Sequence, residues 1–351
     1  MSVLQEELYS IDISKNGQLI AFGGKSDTLT LAKFPSLISI TSETSFTDSI
    51  IYVKFILNDV ILCATLDGNL SLHVLENGEL VEVDNRDLEE DISFIDVIND
   101  LVVVGTNKGS IHIFSQDLQN EILFVGQHSE IRDIKIIFDE SFINNNENCD
   151  NNILQAENAI NEKKIVETDE NEYFGSNFKG KLYSLSESHY MIFDLFTQGT
   201  LYKRSYKDFR TFNIVNKDLL FIGNEGESLL IKDNVVLQKY LFGSECTALV
   251  DDYLVSGGSG FSLTIINIKS PSNCFNLRFL AENVEGISKI VRLSKNIVGI
   301  ATFCGKIAIG DVRSGETFKF YDCGVGIIYD MKFFRNYVAV CGNAGLRIVM
   351  L

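Results

Sequence analysis

A chain of 351 residues in which 45% of side chains are hydrophobic can build a substantial core, yet nowhere does it string together the roughly 18 apolar residues that a membrane helix needs. Its 48 acidic against 30 basic side chains leave a net charge of −18, which works against direct contact with a phosphate backbone and favours a basic polypeptide partner. Seven cysteines, an odd number without CxxC spacing, are expected as reduced thiols of the cytosol or nucleus, and the start MSVLQEELYS lacks the basic segment and apolar stretch of a secretory leader.

Taken in chain order, the predicted elements repeat one shape. An alternating strand, YSIDIS, precedes the hairpin LIAFGGKSDTLTLAKF; IIYVKFI precedes VILCATLDGNLSLHVL, and GELVEVD follows it. ISFIDVI then leads to LVVVGTNKGSIHIF and NEILFVG, and IRDIKIIF leads, after an interruption, to KLYSLSESHYMIFDL and TLYKRSY. The second half writes FRTFNIV with LLFIGNEGESLLI, then YLVSGGSGFSLTIINI, then ISKIVRL with NIVGIATFCGKIAIGDV and ETFKFYD, and ends on IIYDMKFF with YVAVCGNAGLRIVML. Period-two alternation marks each arm as a half-buried strand, and the Gly, Asn, Asp and Ser between arms supply tight turns. A small residue closes the first arm of each hairpin, at Gly23, Ala64, Gly105, Ser184, Gly223, Gly257, Ala301 and Gly342. The spacing is about 40 residues, doubled once between Gly105 and Ser184, and four short strands per such period are the unit of a propeller blade.

The doubled interval holds an insertion in the fourth blade, residues 139–179, including INNNENCDNNILQAENAINEKK. Asn runs with scattered acids and few aromatics read as a polar surface excursion, with a short helix expected at NAINEKKIV. The last blade stops after its third strand, so residues 2–7 are expected to supply the fourth and close the ring by pairing the N-terminal segment with the last blade. The expectation is thus an all-β, eight-bladed propeller forming a single domain over 1–351.

The chain resembles the degenerate WD-repeat propellers over nearly its whole length. GQHSE at 126–130 is similar to the family's Gly-His start, and IGDV around Asp311 and IFDL around Asp194 keep an Asp where its Trp-Asp dipeptide would end. The dipeptide itself is absent, as is any Trp.

Signals for chemistry are missing. His73, His112, His128 and His189 share no metal-ligand spacing, so no metal and no cofactor is expected. GGSGF at 257–261 lacks the last Gly of a nucleophile elbow and sits in a hairpin turn; FCGK at 303–306 is not a phosphate loop, because Ile300 and Ile307 stand where Gly and Ser or Thr are required. The acids Asp251 with Asp252, and Glu89 to Asp91, read as turn chemistry. No enzyme is expected.

The position of other acids is informative. Close before the first strand of successive blades stand Glu7, Asp48, Asp91, Glu130, Asp208, Glu245 and Glu285, with Asp322 a little earlier in the eighth. In a propeller these linkers and the turns between second and third strands share one face, and the turns add Asp27, Asp67, Glu187 and Glu225. Part of this ring is local turn and cap chemistry. The remainder, interrupted by Lys108 and Lys306, sums within a Debye length of about 8 Å into a field for Lys and Arg.

Propellers with such a face resemble binding platforms, and acidic eight-bladed ones are similar to the dedicated WD-repeat chaperones of ribosomal proteins. That resemblance implies a monomer whose ring carboxylates hold a basic partner, the N-terminal segment of a large-subunit ribosomal protein, with apolar and aromatic groups at the mouth holding its backbone. Neither nucleic acid nor membrane is expected to bind, and the compartment is the cytoplasm or the nucleus. The alternative is a scaffold subunit of a coat, nuclear pore, RNA-processing or ubiquitin-ligase complex, which would expose apolar side patches.

Overall fold

The computed structural model describes residues 6–98, 100–139, 179–206, 208–216, 219–233, 235–258, 262–278 and 286–351. Among them every regular element is a strand, and the strands form eight antiparallel sheets in sequence order, seven of four strands and the last of three. The first strand of each sheet lines the centre. These inner strands are Leu8–Ile13, Ile50–Phe55, Ile92–Ile98, Ile131–Phe138, Thr211–Asn216, Cys246–Val250, Ile287–Ser294 and Ile328–Phe334. That of blade 1 packs against those of blades 2 and 8, which turns the row of sheets into a ring around a central channel.

The alternation predicted from sequence decides where the core lies. Each blade buries apolar residues on both faces of its sheet, and the buried clusters fall between neighbours. Ala21, Leu29 and Leu31 of blade 1 meet Ile50, Val53 and Ile61 of blade 2, and Tyr190 of blade 4 meets Phe212 and Ile222 of blade 5. Between blades 8 and 1, Cys341, Leu346 and Ile348 pack on Leu8, Ile11 and Phe22. The core is thus a set of interfaces, each unavailable until two blades are in place.

In three blades the glycine near the end of the second strand has a packing reason. A Cβ on Gly23 would stand 2.7 Å from the Ile50 side chain, one on Gly105 2.4 Å from Ile131, and one on Gly257 2.7 Å from Ile287. In each case the neighbour is the first residue of the next inner strand, so the missing side chain is the socket in which the next blade is seated.

Of the segment 2–7 expected to add the fourth strand of blade 8, residues 2–5 lie outside the described residues. Glu6 and Glu7 belong to the linker entering blade 1, where the backbone N–H of Lys25 donates to the Glu7 carbonyl at 3.0 Å. Residues 140–178 of the insertion, including the helix expected at NAINEKKIV, likewise lie outside the described residues.

Candidate partner-binding face

A repeated set of backbone bonds builds one face of the ring. The turn between second and third strands donates to the linker ahead of the same blade: Lys25 to Glu7, Leu66 to Ser49, Asn107 to Asp91 and Glu187 to Glu130, all at 3.0 Å. The linker into the next blade in turn meets that hairpin, as Asp208 N–H does at the Glu187 carbonyl, 3.3 Å, Ser244 at Asn224, 2.6 Å, and Cys323 at Gly305, 2.9 Å. Linkers and turns are therefore interlocked around the mouth of the channel. This places Glu7, Asp27, Asp48, Asp67, Asp91, Glu130, Glu187, Asp208, Glu225, Glu245 and Asp322 on one face, as the sequence pattern requires; Glu285 lies outside the described residues.

Their surroundings differ by sector. Arg210 reaches Glu225 at 2.5 Å and Glu245 at 3.4 Å, and Arg132 reaches Glu187 at 3.6 Å. Blades 4 to 6 are thus partly compensated. Around blades 2 and 3 the carboxylates are held by neutral donors instead. Thr47 and Thr65 donate to Asp67 at 2.6 and 2.5 Å, the Ser49 N–H to Asp48 at 2.6 Å, and the Asn107 amide to Asp91 at 2.9 Å. Partial burial works to raise the Asp67 pKa, but the hydrogen bonds from Thr47 and Thr65 outweigh it and keep the group below the ordinary carboxylate value. Lys108, expected to break the ring, is spoken for by Glu90 at 3.7 Å.

At the inner edge of this face the inner strands carry a bulge. The pairing register skips one residue in blades 1 to 4, 7 and 8, and the skipped residues are Tyr9, Ile51, Ser93, Arg132, Ser288 and Tyr329. A bulge re-aims its side chain. Tyr329 and Tyr9 meet edge to face where blade 8 joins blade 1, and Arg132 reaches Glu187 of the face, whereas Ile51 packs into the apolar cluster between blades 2 and 3 and Ser93 donates to the Gly105 and Ile131 carbonyls.

Below the rim the channel wall carries charges of both signs. Asp330 accepts the Ile11 N–H at 3.2 Å and pairs with Lys289; Lys332 lies 3.8 Å from both Asp330 and Asp12, and Asp12 accepts the Phe55 N–H at 2.9 Å. Across the channel Lys135 meets Asp133 at 2.9 Å, and the Tyr52 hydroxyl donates to Asp96 at 3.2 Å. Burial pushes the Asp330 pKa up, but Lys289 and Lys332 more than offset it and leave it below the ordinary value. Burial likewise depresses Lys332, and Asp330 and Asp12 reverse that, so its pKa is raised. In the wall these acids and lysines thus offset one another.

The adjacent acids Asp251 and Asp252 and two of the histidines are engaged in structural contacts. Asp251 pairs with Arg292 at 2.7 Å and Asp252 with Lys269 at 2.6 Å. His73 is buried against Ser71 at 2.9 Å, and His112 against Glu121 at 2.6 Å. Residues 259–261 of GGSGF lie outside the described residues.

A family model described as a WD40-like domain matches residues 6–349. The chain belongs to the WD40-like family. Among solved structures, this WD40-like propeller is similar to Sqt1 of Saccharomyces cerevisiae, with 13% identity, a TM-score of 0.72, and 99% of this chain and 96% of the other covered. It is similar to Sqt1 of Chaetomium thermophilum bound to the N-terminus of the ribosomal protein L10, with 12% identity, a TM-score of 0.74 and coverage of 99% and 97%. It also resembles Ika8, a computationally designed protein, with 14% identity, a TM-score of 0.72 and coverage of 100% and 98%. At these identities the likeness is one of fold. No curated protein sequence matches significantly.

For this WD40-like chain, sequence reasoning located the acids and missed the rim arginines and the channel pairs. The signal was present: Arg132 and Arg210 open IRDIKIIF and FRTFNIV, and Lys and Asp alternate through YDMKFF and RDIKII, where apolar residues would be expected of a wholly dry wall.

Proposed function

We propose that the protein is a non-enzymatic binding platform whose mouth face captures a basic polypeptide, acting as a dedicated chaperone for a ribosomal protein in ribosome assembly. The observation that carries this reading is the gathering of carboxylates from separate blades on one face, with Asp67, Asp48 and Asp91 of blades 2 and 3 held by neutral hydrogen-bond donors. A Lys- or Arg-rich segment laid across that sector gains charge-assisted hydrogen bonds and is steered there by the field. The fold shared with Sqt1, which has been seen bound to the N-terminus of L10, supports the same choice of partner class. In this reading the chain works as one propeller domain and as a monomer, without cofactor, nucleic acid or membrane, in the cytosol or nucleus.

One observation favours the second reading, a scaffold subunit. The outer strand of blade 5, Val235–Tyr240, leaves Val235, Val236 and Leu237 exposed in succession, and such runs mark contact surfaces. Affinity capture from the source cells at low salt, followed by elution along a salt gradient, separates the two. A single basic ribosomal protein that leaves steeply with salt supports the chaperone. Several proteins that persist at high salt make the scaffold the better description.

A further inference from the structure

Two of the bulged rim residues, Tyr9 and Tyr329, face each other across the seam where blade 8 meets blade 1. Their rings stand 5.6 Å apart at 64°, edge to face, and Tyr329 keeps 37% of its surface exposed. The Tyr329 hydroxyl donates to the Glu7 carboxylate at 3.2 Å, which fixes the ring beside a negative charge. Directly beneath, the Asp330 carboxylate accepts the Ile11 N–H and holds the two inner strands at this spacing. Aromatic faces next to a carboxylate, open on one side to solvent, are a surface that attracts a planar cation: the ring quadrupoles draw it, and the carboxylate takes its N–H groups.

We propose that Tyr9, Tyr329 and Glu7 form a seat for one cationic side chain of the basic segment, a guanidinium in preference to an ammonium. This rests on the binding reading above and goes further, naming an anchor point within the mouth and the side chain it takes. The site already shows its taste for a cation. Lys25 lies 3.4 Å from the other oxygen of Glu7 with 70% of its side chain exposed, a weakly held pair that an incoming guanidinium displaces. Tyr9 senses the same surroundings. Burial raises its pKa first, the Glu7 and Asp48 charges raise it further, and Lys25 opposes them. At the equivalent bulge position of blade 4 stands Arg132, already engaged with Glu187, so that position offers no aromatic seat for a cation.

The test uses the intact protein and two short peptides of equal length, oligo-arginine and oligo-lysine, titrated calorimetrically at low salt. The wild type is expected to hold the arginine peptide more tightly. Tyr329→Ala is expected to weaken arginine binding about three- to fivefold and to abolish the preference, whereas Tyr329→Phe, which keeps the ring, retains both. Lys25→Gln, an exposed change with little to disturb in the fold, is expected to strengthen binding by removing the competitor. The proposal is overturned if Tyr329→Ala leaves the arginine-to-lysine ratio unaltered, or if Lys25→Gln gives no gain. If these occur while neutralising Asp48, Asp91 and Glu130 still weakens binding, the seat fails and the platform stands. If the wild type binds neither peptide, both fall.

Discussion

The carboxylate of Asp330, on the inner strand of blade 8, accepts the backbone N–H of Ile11, on the inner strand of blade 1, at 3.2 Å and across 319 positions of sequence. The same carboxylate pairs with Lys289 of blade 7 and lies 3.8 Å from Lys332. One side chain thus ties three blades at the point where the ring closes, in a position only 7% exposed.

Replacing Asp330 with Ala is therefore expected to be strongly destabilising, because it takes the carboxylate from Lys289 and from the Ile11 amide and leaves Lys332 with Asp12 alone. Breaking a buried pair by removing one partner costs about 3–5 kcal/mol. Urea unfolding of the variant should give an unfolding free energy lower by an amount toward the bottom of that range, since Lys289 keeps 36% of its side chain exposed. A loss comparable to that of an exposed carboxylate, such as Asp117→Ala, would show that blade packing alone closes the ring.

The same group gives a pH dependence with a definite sign. The folded Asp330 pKa lies below the ordinary carboxylate value of about 3.9. Its contribution is therefore fully present above that value and is lost as the pH falls through the folded pKa. Wild-type stability should decline in acid more steeply than that of Asp330→Asn, with the two curves converging at the lowest pH. Parallel curves would remove Asp330 as the source.

Filling the socket that seats a neighbouring blade should also be costly. A Cβ at Gly105 would stand 2.4 Å from the Ile131 side chain, so Gly105→Ala is expected to destabilise by about 1–3 kcal/mol. Adding Ile131→Ala, which removes the Cγ2 that stands 2.4 Å away, should give a double variant that loses less than the two single losses summed, since the two residues share one space. Additive losses in the double variant would contradict the socket.

How much of this was legible beforehand follows from which interactions are local. The blades were readable because alternation and turn residues act within a few positions, and the marker glycines were readable as a period, although their purpose, a contact with the next blade's Ile50, Ile131 or Ile287, appears only in three dimensions. The acids at Asp48, Asp91 and Glu130 were readable because the blade unit itself puts linkers on one face. The pairing of Arg210 with Glu225 and Glu245 was not, since it joins three different segments and each alone is an ordinary surface residue. The Asp330 bond to Ile11 lay furthest from view, as it depends on the two ends of the chain meeting.

The face sectors make unequal predictions. Neutralising Glu187, Glu225 and Glu245 removes carboxylates already engaged by Arg132 and Arg210 and leaves those arginines unpaired at the rim. Binding of a basic segment should then fall as the rim turns locally positive. Adding Arg210→Gln to that variant should recover part of it. No recovery in a titration of the pair would show that these acids contact the partner themselves.

The central claim is that carboxylates of the mouth hold a basic polypeptide. The direct test is the affinity of a basic ribosomal-protein N-terminal segment for the wild type and for the triple variant Asp48→Asn, Asp91→Asn, Glu130→Gln, followed across salt concentration. We expect the variant to keep its thermal unfolding temperature, to lose about tenfold or more in affinity at low salt, and to show a shallower dependence on salt. Equal affinity and equal salt dependence in the two proteins would contradict the account.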